Sequence, residues 1–176
     1  MATTLDIVKY PNNILEKKAQ RVERIDAETQ TLIDNMIETM RKAPGVGLAA
    51  PQVNVPLRIV VIEYGEAESE EEEETVEKQL FTLINPEISR MSREKEMGTE
   101  GCLSFPGILA EVERSLAVTV VAQDRNGEPL KIKADGWLAR IFQHEIDHLN
   151  GVLFTERAEK VYTIEPEDPQ AENSAA

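Results

Sequence analysis

The sequence contains one cysteine, two histidines and one tryptophan in 176 residues, and aromatic side chains make up only 5% of it. A lone cysteine cannot close an internal disulfide, which excludes a disulfide-stapled scaffold and fits a reducing compartment. No apolar run approaches the roughly 20 residues needed to cross a bilayer, so no membrane contact is expected. Excess positive charge is also missing. Nineteen Lys and Arg against 33 Asp and Glu leave a formal charge of -14, which argues against a broad nucleic-acid-binding surface. The opening residues Met1 to Asp6 lack both the basic flank and the apolar stretch of a secretory signal, and the cytoplasm is the expected location.

What is present describes one ordinary domain. Hydrophobic residues at 41% and charged residues at 30% suit a globular chain, and the length supports one core rather than two. The negative charge is concentrated. Glu66, Glu68, Glu70 to Glu74 and Glu77 contribute eight charges within one short stretch. Their mutual repulsion and the scarcity of apolar neighbours predict an exposed, mobile loop at 65–77. Residues 165–176 are acidic, contain proline and have few hydrophobes, and are expected to form a flexible tail after a domain covering 1–164.

Local patterns predict the main elements. Tyr10-Pro11-Asn12-Asn13 reads as a turn. From Asp26, a natural N-cap, Leu32, Ile33, Met36, Ile37 and Met40 recur on one helical face until Pro44-Gly45 stops the helix. Leu57 to Ile62, Phe81 to Asn85, Leu109 to Glu113, Leu116 to Ala122 and Leu130 to Ala134 read as strands, with Pro86 marking a strand end and Asp124-Arg125-Asn126-Gly127 a hairpin connection. Asp135-Gly136 opens a second helix that Gly151 closes. Gly45-Val46-Gly47-Leu48-Ala49-Ala50-Pro51-Gln52, rich in small residues, suits either a tight connection or the close approach of a ligand to backbone.

Both histidines of the chain fall in the second helix, as His144-Glu145-Ile146-Asp147-His148. Residues four apart on a helix share a face, so two imidazoles can meet one cation with Glu145 beside it. Cys102 is a candidate third ligand, because a thiolate adds the anionic charge that anchors a borderline divalent ion; alternatively it is a small buried hydrophobe. Three protein ligands leave a position for water. Such an ion would lower the water's pKa for attack on a carbonyl carbon, and Glu145 would take the proton and pass it to a leaving amine. The side-chain amide of Gln52 and a backbone N–H near Cys102 are candidate donors to the developing oxyanion.

Three segments in this order resemble the motifs of the peptide deformylase family: Gly45 to Gln52, Glu100-Gly101-Cys102-Leu103-Ser104, and Gln143-His144-Glu145-Ile146-Asp147-His148. The similarity extends from about Ile7 through Arg157. It implies an α+β fold in which antiparallel β-sheets pack around a central metal-binding HExxH helix, with an N-terminal helix. It further implies Cys102, His144 and His148 as metal ligands, Glu145 as acid and base, and Gln52 with the Leu103 N–H around the formyl oxygen. The expected cofactor is one divalent ion, Fe2+ in that family, with Ni2+, Co2+ or Zn2+ as substitutes. The implied reaction removes the formyl group from the N-terminal methionine of new polypeptides, with transient proximity to the ribosome. Val46, Gly47, Gly101, Trp137 and Arg140 are the implied substrate contacts, and Glu100 pairs with Arg114. Trp137 stands where the family often has a smaller aliphatic residue, which implies a reshaped pocket for the first side chain. The acidic insertion and the acidic C-terminus depart from the family pattern, and the latter speaks against docking through a basic C-terminal helix. A short zinc endopeptidase and a noncatalytic metal-binding module are the competing readings. Neither requires a formyl group.

Overall fold

The computed structural model describes residues 1–164, so the acidic segment 165–176 lies outside the described residues. Among the described residues, three α-helices, α1 (Ala27–Lys42), α2 (Gly136–Leu149) and the short α3 (Phe154–Arg157), accompany eight strands. These are β1 (Gly47–Ala49), β2 (Ile59–Tyr64), β3 (Gln79–Met91), β4 (Lys95–Gly101), β5 (Ile108–Ser115), β6 (Ala117–Gln123), β7 (Pro129–Asp135) and β8 (Ala158–Thr163). One sheet has the order β1-β2-β3-β6-β7 and the other β4-β5-β8, with every pairing antiparallel. The α+β class expected from the sequence is the observed one.

The helices start where local chemistry allows. Asp26 caps α1 by accepting the Thr29 N–H at 3.0 Å, while the Thr29 hydroxyl accepts the Asp26 N–H at 3.3 Å. This reciprocal box satisfies two otherwise unpaired donors. Ile33, Met36, Ile37 and Met40 then bury the inner face of α1 against Leu48, Ile59, Val61 and Ile84. On α2, Phe142, Ile146 and Leu149 pack onto Val60, Ile62, Leu83 and Val120 of the five-stranded sheet. Every residue from Ala139 to Leu149 is buried, so α2 runs through the middle of the molecule. Each large apolar side chain buried there contributes roughly 1.5–3 kcal/mol relative to exposure. Arg58 fixes the far end of α2 by donating to the Leu149 carbonyl at 2.9 Å and to Asn150 Oδ1 at 3.0 Å. A guanidinium suits that end because the last carbonyls lack helical partners and carry partial negative charge.

The strands go beyond the local reading, which contains neither β4 nor β8. Pro86 does not end its strand: β3 continues to Met91 through an irregularity between Ile84 and Glu87. A bulge tolerates proline because no ladder N–H is required there. Asn85 takes a left-handed φ of 54°, accepts the Val22 N–H at 2.8 Å and donates to the Val22 carbonyl at 3.0 Å, tying the N-terminal segment to the sheet. The small-residue segment after Gly45 supplies strand β1, which pairs with β2 in the register Gly47 to Ile62. Residues 65–78 connect β2 to β3 and are mainly exposed.

Candidate metal centre

Two free strand edges frame α2. β1 is an edge strand of the larger sheet and β4 of the smaller one. Gly101 ends β4 and pairs with Leu109, which places Cys102 at the mouth of the strand, facing the helix. His144 and His148 stand one turn apart with ring centroids 5.0 Å apart. The Cys102 Sγ lies 3.3 Å from His148 Nε2, and ligand atoms of Cys102, His144 and His148 all lie within 4.8 Å of one another. All three residues are buried.

The donor atoms of this cluster fit a divalent cation. His144 Nδ1 meets Glu100 Oε1 at 2.8 Å, which directs Nε2 inward with no partner of its own. Both Glu145 carboxylate oxygens are likewise buried without a hydrogen-bond partner. Unsatisfied buried polar atoms are costly and occur where a ligand will satisfy them. A thiolate and two imidazoles form a donor set suited to borderline first-row ions.

The electrostatics agree. Burial opposes charge on Glu100, but hydrogen bonds from Arg114 and His144 outweigh it and hold the carboxyl well below the usual range. Burial likewise opposes charge on His144, yet the nearby Cys102 sulfur, Glu100 and Glu145 raise that imidazole to about 10. The cluster therefore attracts positive charge. His148 is pushed below its ordinary value by burial and by the cationic His144 and Arg114. Burial raises Glu145 to about 7, with His144 partly offsetting it. A carboxyl poised there can both accept and donate a proton near neutrality.

Gln52 enters from the turn after β1. Its Oε1 accepts the Ala49 N–H at 3.0 Å, and its Nε2 reaches Ser104 Oγ at 3.1 Å and Cys102 Sγ at 3.5 Å. Leu103 is partly buried, and its carbonyl accepts from Lys9 Nζ at 3.0 Å. Gly47 touches the acid directly: a Cβ there would lie 2.6 Å from Glu145 Oε1. Val46 packs beside it against the sheet core. Trp137 lies at the start of α2, 40% exposed, and lines a cavity of about 620 Å³ with Tyr64, Phe81, Met91 and Leu138. None of the three metal-ligand candidates lines that cavity.

Arg140 is engaged by protein groups on β4 and β5. Its guanidinium is buried and engaged with Glu100 Oε2 at 2.7 Å, the Val112 carbonyl at 2.8 Å and the Glu96 carbonyl at 2.7 Å. The Glu100–Arg114 pair is present with both bonds at 2.9 Å. Asp147 was not singled out from the sequence, yet it joins this network: Arg114 Nη1 reaches its Oδ2 at 2.6 Å, and Arg157 binds it through two further bonds. The available signal was a carboxylate on a helix whose other faces are filled by ligands and core residues. Gln143, also within the motif, pins α2 to β5 by accepting the Ser115 N–H at 3.1 Å and donating to its carbonyl at 2.9 Å.

An α+β core whose central helix presents a His-Glu-x-x-His face to a strand-end cysteine defines a hydrolase of the metal-dependent class. The chain belongs to the polypeptide deformylase family, whose model matches residues 4–163. It is 47% identical over 171 residues to a peptide deformylase of Symbiobacterium thermophilum, covering 97% of this chain and 74% of the relative. The crystal structure of peptide deformylase from Thermotoga maritima is similar at a TM-score of 0.80 and 39% identity, over 90% of this chain and 99% of that one. A Met-Ala-Ser-bound class I type b peptide deformylase from Acinetobacter baumannii has a TM-score of 0.80 at 36% identity, over 89% of this chain and 99% of that one. No described helix of this chain is long and apolar enough to cross a membrane.

Proposed function

We propose that this chain hydrolyses the N-formyl group of formyl-methionyl polypeptides, with Cys102, His144 and His148 holding the metal and Glu145 moving the proton. The observation that carries this reading is the buried, unpartnered Glu145 carboxylate beside three convergent ligand atoms. A bound divalent ion supplies Lewis acidity that makes water nucleophilic at neutral pH. Water adds to the formyl carbon as Glu145 takes its proton; the C–N bond then breaks, the amine leaves with that proton, and formate is released. Gln52 Nε2 and the Leu103 N–H are assigned to the formyl oxygen. The Acinetobacter relative with bound Met-Ala-Ser supports a peptide as substrate. The outer edges of β1 and β4, at Gly47 and Gly101 with Val46 just before β1, suit an extended peptide laid over α2, since edge strands offer unpaired backbone groups. Ferrous iron as the resident ion rests on the family resemblance, and so does proximity to the ribosome during synthesis.

The testing assay is formate release from formyl-Met-Ala-Ser by protein purified without oxygen, with metal content measured on the same samples. Metal-loaded protein that releases no formate overturns the reading, and cleavage of internal peptide bonds would favour an endopeptidase.

Gly47→Ala is expected to lower formate release about 100-fold with metal content unchanged, because the added methyl displaces Glu145 Oε1 and misplacing a reacting group by about 1 Å costs that much. Trp137→Leu is expected to raise kcat/KM for formyl peptides with bulkier first residues by about tenfold relative to formyl-Met, the scale of small changes in an apolar pocket. Unchanged selectivity would remove Trp137 from that pocket.

A further inference from the structure

We propose that Arg140 is a positioning residue for the metal centre, acting through Glu100 on the orientation of His144. The inference rests on the reading that Cys102, His144 and His148 hold the metal. Glu100 meets three partners with two oxygens: Oε1 serves His144 Nδ1 and Arg114 Nη2, and Oε2 serves Arg114 Nε and Arg140 Nη1. Arg114 holds both Glu100 oxygens through Nε and Nη2, while its Nη1 is committed to Asp147 Oδ2 at 2.6 Å. Asp147 draws on Arg157 as well as on Arg114, while Glu100 shares Arg114 with it and takes Arg140 as its further cation. It brings rigidity as well as charge. Its Nη1 also donates to the Val112 carbonyl on β5 and its Nη2 to the Glu96 carbonyl on β4, so the fork is fixed to both strands that carry the Cys102 loop. A planar guanidinium fixes its donors in a rigid fork and holds three such partners in set directions, whereas an ammonium presents its donors from a single rotating point. Losing a partner that orients a metal-bound imidazole typically costs about 10- to 100-fold in metal affinity.

Gly98 is the matching half of the device. A Cβ at this β4 position would lie 2.6 Å from Arg140 Cζ and 2.8 Å from its Nε and Nη2, so a larger residue forces the guanidinium off its present position. The Trp137 ring covers the outer side, its centroid 5.5 Å from the guanidinium carbon.

The test measures Co2+ affinity by chelator competition, together with the Co2+ ligand-field spectrum, on folded protein. Arg140→Met is expected to weaken Co2+ binding about tenfold and shift the spectrum. Arg140→Lys should recover part of the loss. Gly98→Ala should weaken binding in the same direction without changing any charge, and should have no further effect in the Arg140→Met background. Co2+ affinity and spectrum equal to wild type in Arg140→Met overturn the proposal, as do additive effects of the two substitutions. Should Arg140→Met fail to fold, Gly98→Ala and Arg140→Lys carry the same decision through the affinity and spectrum of their folded protein. Failure of the wild-type protein to bind Co2+ would instead overturn the metal-centre reading itself.

Discussion

Glu145→Gln is expected to lower formate release by about 10²- to 10⁴-fold, the range attributable to a positioned acid or base, while metal content stays at the wild-type level. Glu145 is fully buried and neither oxygen has a hydrogen-bond partner, so the cost of burying its charge outweighs the attraction of His144 and Arg114. The isosteric amide removes the proton acceptor without opening a cavity. Stability should therefore not fall, and in metal-free protein it should rise relative to the parent in a pH-dependent way. Burial lifts the carboxyl from 4.5 to about 7. Between those values the unfolded chain releases the proton that the folded chain retains, so the parent loses stability as pH rises through this window. The advantage of Glu145→Gln should widen over the same interval and level off above it. Thermal unfolding of metal-free protein at several pH values measures this; parallel stability curves would contradict the raised carboxyl, and a variant with near-normal formate release would remove Glu145 from the acid–base role.

Cys102→Ala should abolish stable metal binding and reduce formate release to background. Cys102 contributes the one anionic donor among the three ligand candidates, and two neutral imidazoles hold a borderline ion far less tightly than they do with a thiolate. The substitution removes a small group from a cluster formed with Leu15, Phe105, Ala110 and Phe154, so the fold should persist. Metal content per folded protein and loss of the Co2+–thiolate charge-transfer band are the measurements. A variant that retains both metal and activity would return Cys102 to the role of a buried hydrophobe.

Much of the architecture was legible because it is coded locally. The capping chemistry of Asp26 and the apolar face from Ile33 to Met40 specify α1 without reference to the rest of the molecule. Runs rich in valine and isoleucine, such as Ile59 to Ile62 and Val118 to Val121, announce β2 and β6. Two strands that escaped local reading, β4 and β1, have no such pattern. β4 is Lys-Glu-Met-Gly-Thr-Glu-Gly and β1 only Gly-Leu-Ala; each is extended because a partner strand offers hydrogen bonds in register. Their glycines weigh against strand by propensity, yet Gly47 makes room for Glu145 and Gly98 makes room for Arg140.

The candidate site divides along the same line. The His144-Glu145-Ile146-Asp147-His148 segment determined by itself that two imidazoles and a carboxylate would share a helix surface, because the helical repeat sets that geometry from sequence spacing alone. The three motifs in their order determined the family. Only the tertiary structure decided that Cys102 meets His148, that Glu100 meets His144, and that Arg140 engages Glu100. Those contacts join residues 46, 44 and 40 positions apart, and at such separation no backbone periodicity relates two side chains. What relates them is burial: removed from water, each charge had to find the partner that the packing of α2 between two strand edges brought within reach.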